Sequence, residues 1–248
     1  MRSWLTLTAM TFVTLLANCQ RAVLADSKGE SDMAGWHFIQ KHVTFKMQEV
    51  YMARQAVCID GHGFPVGVIA CAPDWNAIVY HRGTKRYTVV PYSVWTTRGF
   101  PLHAIGCELA PVKPGSLSHS QLFDGWPAQS VEWVGIAPKL AMMKKQQLGD
   151  ETCKYRAISL TSLPVPQQIG RLLCAFYDVQ YFGGILVDFE IPGGLQILNS
   201  TDPGKMLIPA RQFHLPDGYT HVQSSSEVFM SPKALDNIKQ FGEFWGGS

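Results

Sequence analysis

The sequence lacks the local signatures of the common enzyme classes. Its eight histidines include no HxH or HExxH pair, and its cysteines include no CxxC pair, so nothing local indicates a metal site. It has no G-x-S-x-G nucleophile elbow and no P-loop or dinucleotide-binding glycine pattern. We therefore predict no catalytic residue, no metal and no cofactor.

The chain also lacks an excess of charge of either sign. It contains 21 Lys and Arg against 19 Asp and Glu, and its first 25 residues hold two arginines and no acidic residue. Without those residues the chain has 19 charges of each sign. Nucleic-acid-binding proteins normally carry a clear basic excess, so we expect no nucleic-acid partner.

Long apolar runs are absent beyond the N-terminus. Residues 4–17 are uncharged, which is the length of a signal-peptide core and shorter than the roughly 20 residues of a membrane span. Residues 1–25 are therefore predicted to be a signal peptide cleaved before Asp26, and the protein is predicted to be exported, to the periplasm or the extracellular space. The alternative is a lipoprotein, because the sequence around Cys19, LANC, resembles a lipobox.

The predicted mature chain has an odd number of cysteines: Cys58, Cys71, Cys107, Cys153 and Cys174. In an oxidising compartment, two disulfides and one free thiol are the simplest expectation. Cys58 and Cys71 flank a turn rich in Gly and Pro, which makes them the favoured pair. The odd count equally allows five reduced cysteines.

The clearest local pattern is the hairpin sequence IVYHRGTKRYTVV. A two-residue turn at residues 83–84 places Tyr80 opposite Tyr87 and Ile78 opposite Val89. These four residues then form one apolar face that carries two tyrosine rings. Basic residues collect at the tip of the hairpin. A solvated turn is the ordinary interpretation of such a tip, and contact with anionic head groups or an acidic partner is the functional one. The tip residues are His81, Arg82, Lys85 and Arg86.

The remaining elements are predicted from shorter patterns. Residues 26–43 are predicted to be a leader, and residues 44–60 a long strand, with a helix as the alternative. Residues 99–138 are predicted to be an irregular insertion with one short helix near 118–123. A second hairpin is expected to turn at residues 149–150, and PVPQQIGRLLCAFYD has the apolar spacing of a helix. A strand is expected in GGILVDFEI and a closing helix after Ser231.

The order of these elements carries a resemblance. An early strand is followed by a hairpin with a Lys-Arg-Tyr edge, and then by a hairpin at Leu148-Gly149-Asp150. An amphipathic helix comes next, and the last two segments are FHLPDGY, over residues 213–219, and SSSEV. This order resembles the LolA/LolB-like superfamily of exported lipid- and lipoprotein-binding proteins over roughly residues 44–230. The resemblance implies one α+β domain over 44–248, with a strongly curved antiparallel sheet, a half-barrel, whose concave face is covered by helices. No functional residue is carried over.

The expected function is that of an exported, non-enzymatic protein holding a lipid or another apolar molecule in the trough of this sheet. Each buried methylene contributes about 0.8 kcal/mol, so an apolar trough is enough to bind an acyl chain. The basic residues Arg82, Lys85 and Arg86 would make a head-group contact, or a transient contact with a membrane surface or an envelope protein. The predicted lining is Phe45, Met47, Tyr51, Ile78, Tyr80, Tyr87, Val89 and Met142, with the helix over 165–177 as lid.

Two alternatives remain open. The first is an envelope interaction or scaffold module whose sheet is filled by its own side chains. The second is a hydrolase that uses Cys107, close in sequence to His103, or the pair Asp188 and Glu190, since paired carboxylates on one strand face occur in glycosidases. The ordinary interpretation of that pair is the solvent side of a half-buried strand.

Overall fold

The computed structural model describes residues 31–100, 117–135, 153–191 and 194–230, and most of them belong to one antiparallel β-sheet. Its strands are β1 Met33–His42, β2 Lys46–Ala53, β3 Ala56–Gly61, β4 Val66–Cys71, β5 Ala77–His81, β6 Arg86–Val90, β7 Leu117–Phe123, β8 Trp126–Gly135, β9 Cys153–Leu160, β10 Ile185–Ile191, β11 Leu195–Ile208 and β12 Thr220–His221. The helices are α1 Tyr92–Arg98, α2 Gln167–Phe176 and α3 Ser225–Phe229, with a 3-10 turn at Ala210–Phe213.

The strands follow the order β12-β6-β5-β4-β3-β2-β1-β11-β10-β9-β8-β7, and the sheet is not closed. Two meanders, β1 to β6 and β7 to β11, are joined where β1 pairs with β11. Neighbouring strands are antiparallel except β12, which lies parallel to β6. The strand nearest the N-terminus among the described residues is therefore at the middle of the sheet.

Strands β3 to β5 are apolar on both faces because each face packs against other parts of the chain. One face contributes Val57 and Ile59 to a large core shared with α1 and α2, and the other contributes Cys58 to a second core. The second core is covered by the 3-10 turn, where Phe213 is 2% exposed. Both layers of packing thus depend on the same three strands.

Several predicted elements are confirmed. Ile78 pairs with Val89 and Tyr80 with Tyr87, as the hairpin prediction requires, although the loop between the strands spans residues 82–85. The predicted amphipathic helix is α2, with Ile169, Leu172 and Leu173 buried, and the predicted strand after it is β10. The closing helix after Ser231 and the turn at 149–150 lie outside the described residues.

Three predictions about local structure are wrong. The predicted leader contains β1, which is buried at every second residue from Trp36. The single strand predicted over 44–60 is two strands, because the chain turns at Arg54 and Gln55 between β2 and β3. The predicted irregular region contains β7 and β8, and residues 118–123 form a strand rather than a helix.

The physical reason for the last error is visible at the β7–β8 turn. Asp124 and Gly125 have positive φ, of 48° and 79°, which is the backbone geometry of a two-residue hairpin turn. β7 itself has no apolar alternation, since Ser118, His119 and Ser120 are all exposed. The dipeptide Asp-Gly was the available signal for this hairpin.

Candidate functional site

The residues predicted to line a common trough are divided between the two cores. Phe45 lies in the β1–β2 turn and is buried in the large core, whereas Met47 is 52% exposed. Lys46 has a φ of 61°, so the backbone changes direction there. Phe45 and Met47 therefore do not lie on one strand face, as their even spacing had predicted. Met142 lies outside the described residues. Five of the predicted residues belong to the second core: Tyr51, Ile78, Tyr80, Tyr87 and Val89.

The face of the predicted hairpin that carries Tyr80 and Tyr87 is covered by a later part of the same chain. The Tyr80 ring lies over Gly67, where an added β-carbon would overlap it, and the Tyr219 ring meets it edge-on with centroids 5.5 Å apart. Tyr87 contacts His221 at a centroid distance of 5.2 Å. This surface is therefore filled by residues 213–221.

The three basic residues predicted to contact a head group each have a partner within the chain. Arg82 Nη1 lies 2.8 Å from Asp60 Oδ1, and Lys85 Nζ lies 4.8 Å from the centre of the Tyr219 ring. Arg86 Nη1 donates to the carbonyl oxygens of Glu227, at 3.2 Å, and Met230, at 3.4 Å. The hairpin tip thus anchors the last described segment of the chain.

Further contacts fix the loop of this hairpin. The Thr84 N–H donates to His81 Nδ1 at 3.0 Å, and the Thr84 hydroxyl donates to the Val228 carbonyl at 2.7 Å. Burial, together with the neighbouring Arg82 guanidinium, lowers the pKa of His81. A neutral imidazole is required here, because only the unprotonated nitrogen can accept the Thr84 N–H.

The space beneath α2 is filled by aromatic side chains. The ring centroids of Phe45 and Phe176 are 4.9 Å apart, those of Phe100 and Phe176 are 5.0 Å apart, and all three side chains are at most 2% exposed. Trp95, from α1, donates its indole N–H to the Leu172 carbonyl at 3.1 Å. The helix predicted to be a lid is therefore packed on an aromatic core.

A buried polar group joins α2 to the middle of the sheet. The Tyr177 hydroxyl, just after α2, lies 2.7 Å from Gln40 Oε1 and 2.5 Å from Gln48 Oε1. Gln40 Nε2 donates to Ser200 Oγ at 2.9 Å and to the Leu186 carbonyl at 3.0 Å. Burial raises the pKa of Tyr177, so its hydroxyl remains a donor. This group connects β1, β2, β10, β11 and α2.

A second aromatic group lies on strands β8, β9 and β10. The rings of Trp133, Tyr155 and Phe189 are nearly parallel, with centroids 5.4 to 6.4 Å apart and interplanar angles of 9° to 12°. Phe182 contacts Trp133 at 5.1 Å. These four residues, called the aromatic wall below, were not among the predicted site residues. The alternation VEWVG in β8 was the signal that pointed to Trp133.

A tryptophan pair joins β1 to the first residue of β8. Trp36, on β1, and Trp126, on β8, are in edge-to-face contact at a centroid distance of 5.0 Å. Lys205 Nζ lies 5.2 Å from the centre of the Trp36 ring, and Leu207 nearby on β11 is 64% exposed. Trp36 itself is 5% exposed.

The two carboxylates of the hydrolase alternative, Asp188 and Glu190, lie in different environments. Glu190 forms an ion pair with Arg156 at 2.6 Å, whereas Asp188 is 3% exposed and accepts one hydrogen bond from Gln196. Its other oxygen is buried without a partner in the described part of the chain. Burial raises the pKa of Asp188, and the Gln196 bond opposes that effect. Asp188, which was expected on the solvent side of the strand, is therefore buried.

A second acidic group surrounds Glu49 on β2. The Tyr51 hydroxyl donates to its carboxylate, His62 Nε2 lies 3.0 Å from one oxygen, and His37 Nε2 lies 3.6 Å from the other. The Tyr51 hydrogen bond, followed by the charges of the two histidines, lowers the pKa of Glu49. A carboxyl group with a lowered pKa is a poor general acid at neutral pH. In the described ranges no three His, Cys, Asp or Glu side chains are placed to hold a metal ion.

The favoured disulfide is not formed, because Cys58 and Cys71 are both free thiols. The β3–β4 register pairs Cys58 with Ile69 and Cys71 with Ala56, so the two cysteines are not opposite each other. Burial raises the pKa of the Cys58 thiol, which makes it an unreactive group. Cys107 and His103, the other hydrolase candidates, lie outside the described residues.

Comparisons with known proteins do not identify the chain. No family model matches it, and no curated protein matches it. One solved structure, that of an uncharacterized conserved protein from Thermus thermophilus, matches with 9% sequence identity and a TM-score of 0.37, covering 83% of this chain and 99% of that one. A likeness at this level assigns neither fold nor function. Within the described residues, no helix has the length and apolar character needed to cross a membrane.

Proposed function

We propose that the protein is exported, is not an enzyme, and binds a lipid or another apolar molecule against the aromatic wall of β8 to β10. The proposal keeps the expected ligand class and places its site on the stacked rings of β8 to β10, because the hairpin face is occupied by residues 213–221. The rings of β8 to β10 are themselves buried in the large core, so binding there requires that core to open. We also propose that the sheet is curved into a half-barrel, with α1 and α2 on its concave face. The N-terminal apolar run supports export.

The Trp36–Trp126 contact is the observation that carries the proposal. β1 and β8 are separated by β11, β10 and β9, so in a flat sheet they would lie about 19 Å apart at about 4.8 Å per strand. Their rings meet at 5.0 Å. Gln40, on β1, likewise reaches the Leu186 carbonyl on β10, two strands away. Both contacts favour a sheet that bends strongly towards the face that carries these side chains.

The aromatic wall suits an extended apolar ligand. Its three nearly parallel rings are stacked on one another and are apolar, and an aromatic side chain buries about 150–250 Å² when it is fully packed. Trp133, Tyr155 and Phe189 are 7%, 2% and 3% exposed, so a ligand would reach them by displacing the side chains that now cover them. An acyl chain of about ten methylenes buried there would gain about 8 kcal/mol before ordering costs.

The test is native mass spectrometry of detergent-free protein, before and after solvent extraction, followed by titration with oleate. We expect one ligand per chain, and we expect Phe189→Ala to weaken oleate binding at least tenfold. Tyr219→Ala, which removes a ring from the second core, is the matched control and should bind as wild type does. Phe189→Leu retains apolar volume and should fold and bind, which separates loss of the wall from loss of the fold. A wild-type protein that is empty and takes up no oleate would contradict the proposal.

A second candidate function, an interaction module with a filled core, is favoured by the packing beneath α2. Phe45, Phe100, Phe176 and Trp95 leave that part of the sheet occupied by the chain's own rings. If the whole concave face is filled in this way, binding must occur on the outer surface. An empty wild-type protein in the experiment above would favour this candidate.

A further inference from the structure

The two ends of the sheet differ in how they are protected. At one end β6 is followed by the two-residue strand β12, whose chain continues with a hydrogen bond from the Val222 N–H to the Tyr87 carbonyl. Arg86 and Thr84 also bind the carbonyl oxygens of α3 and the residue after it. At the other end lies β7, and no strand in the described parts of the chain pairs with its outer edge.

β7 has none of the devices that usually prevent edge strands from pairing. It forms seven consecutive pairs with β8 without a bulge, and its sequence LSHSQLF has no Lys, Arg, Asp, Glu, Pro or Gly. Natural edges are normally interrupted by charges, prolines or bulges, because an unpaired row of backbone N–H and C=O groups recruits another strand. Ser118, His119, Ser120 and Leu122 are exposed, Leu122 by 70%, so the middle of this strand is open to solvent.

We propose that two copies of the chain associate through antiparallel pairing of their β7 strands, which makes one sheet continuous across the dimer. The sheet is antiparallel from β6 through to β7, so a strand that continues its pattern must run antiparallel to β7. A two-fold axis perpendicular to the sheet supplies that orientation automatically, because it relates two identical strands in opposite directions. A second copy therefore satisfies the geometry without any other partner.

Side-chain chemistry agrees with self-pairing. With the axis at Ser120, that residue faces its own copy, His119 faces Gln121, and Leu122 faces Ser118 of the second copy. Like charges directly opposite each other destabilise antiparallel pairs, and this register contains no charged carboxylate, lysine or arginine. Pairing also covers part of the exposed Leu122 side chain. The interface is one strand wide, so a weak dimer with micromolar affinity is expected.

Sedimentation velocity of the mature chain from about 1 to about 300 micromolar, a range that brackets the affinity of a small interface, tests this inference. Wild type should show a reversible monomer–dimer equilibrium. Ser120→Lys should weaken dimerisation at least tenfold, because it places two ammonium groups at the symmetry axis of the interface. Ser93→Lys, which adds the same charge to an exposed position of α1, should dimerise as wild type does. Ser120→Thr, which keeps an uncharged strand-forming residue at the axis, should also dimerise.

Two results would overturn the proposal. One is wild type that stays monomeric throughout the concentration range, and the other is Ser120→Lys protein that dimerises as strongly as wild type. If Ser120→Lys loses its circular dichroism signal, Ser120→Glu at the same exposed side chain takes its place, and the same two results decide.

Discussion

At the scale of single residues, the Tyr177 hydroxyl is the contact whose removal is easiest to interpret. It is the donor placed between the Oε1 atoms of Gln40 and Gln48 in a buried site. We expect Tyr177→Phe to lower the free energy of unfolding by about 1–3 kcal/mol, because the single hydroxyl proton shared by two buried amide oxygens is lost while the ring remains. Urea denaturation measures this change. Tyr181→Phe, at a partly exposed ring, is the control and should cost less than about 0.5 kcal/mol.

Asp188 gives a second residue-scale prediction, on pH dependence. Because burial raises its folded-state pKa, the folded state favours the protonated carboxyl. The stabilising contribution is complete below the unfolded-state pKa of about 3.9 and is lost as pH rises through the folded-state pKa. Asp188→Asn should therefore become more stable relative to wild type between about pH 4 and about pH 7.

Denaturation midpoints measured across this range test the Asp188 prediction. Asp217→Asn, at an exposed carboxylate, controls for the loss of one negative charge. If the difference between wild type and Asp188→Asn stays constant over the whole range, burial of the Asp188 carboxylate has no energetic consequence and the prediction is wrong.

Residue placement could be predicted from the sequence where strand alternation continued unbroken. The pairs of the β5–β6 hairpin, such as Tyr80 with Tyr87, were predicted because five consecutive residues on each strand keep one register. Phe45 was misplaced because the turn before β2 reverses at Lys46, a conformation that lysine adopts rarely. The partners of Arg82 and Lys85 could not be predicted, since they come from β3 and from Tyr219, far away in sequence.

At the scale of elements, the loop of the β5–β6 hairpin should depend on pH. The lowered pKa of His81 means that the folded state favours neutral imidazole, so its contribution is complete above the unfolded-state pKa of about 6.5 and is lost as pH falls through the folded-state pKa. Protonation removes the acceptor for the Thr84 N–H. We expect the hydrogen-exchange protection of the Thr84 amide to fall between about pH 7.5 and about pH 5.

His81→Asn separates this mechanism from general loosening at low pH. The Asn side chain retains an acceptor oxygen that does not titrate, so protection at Thr84 should no longer change with pH. The Trp95 amide, which donates to the Pro91 carbonyl within α1, is an internal reference. Equal loss of protection at Thr84 and Trp95 would show that the His81 acceptor is not responsible.

Elements with strong internal signals were predicted, and those that depend on distant partners were not. α2 follows a proline and carries apolar residues at helical spacing, which indicate a helix whatever surrounds it. β7 is an exposed edge with serine and histidine, and such a strand is held mainly by its pairing with β8. β1 was assigned to a leader because polar residues precede it, although its own alternation from Trp36 to His42 was the better guide.

At the scale of the whole molecule, the two cores are expected to unfold together. β3 contributes Val57 to the large core and Cys58 to the second core, so neither can be lost without disturbing the same strand. Cys58 and Cys174 are buried in different cores, and burial raises the pKa of the Cys174 thiol to about 12. Alkylation by iodoacetamide at about pH 8, below the ordinary thiol pKa, should therefore modify both thiols at the same slow rate.

Peptide mass spectrometry resolves the two alkylation rates, and the partly exposed Cys71 provides a faster reference site in the same experiment. Both buried thiols should react rapidly in denaturant, where burial no longer suppresses the thiolate. Much faster modification of Cys58 than of Cys174 in native protein would show that the second core opens alone, which contradicts a single cooperative unit.

The pairing of β1 with β11 sets the order in which the molecule can be completed. During synthesis β1 is made before β11, the strand that flanks its other side, and β11 ends at residue 208. Until then, β1 is an open edge with only β2 beside it, and sequence-distant pairing of this kind makes folding slow. The polypeptide therefore remains incompletely folded until β11 has been made, a period during which a chaperone can still bind it.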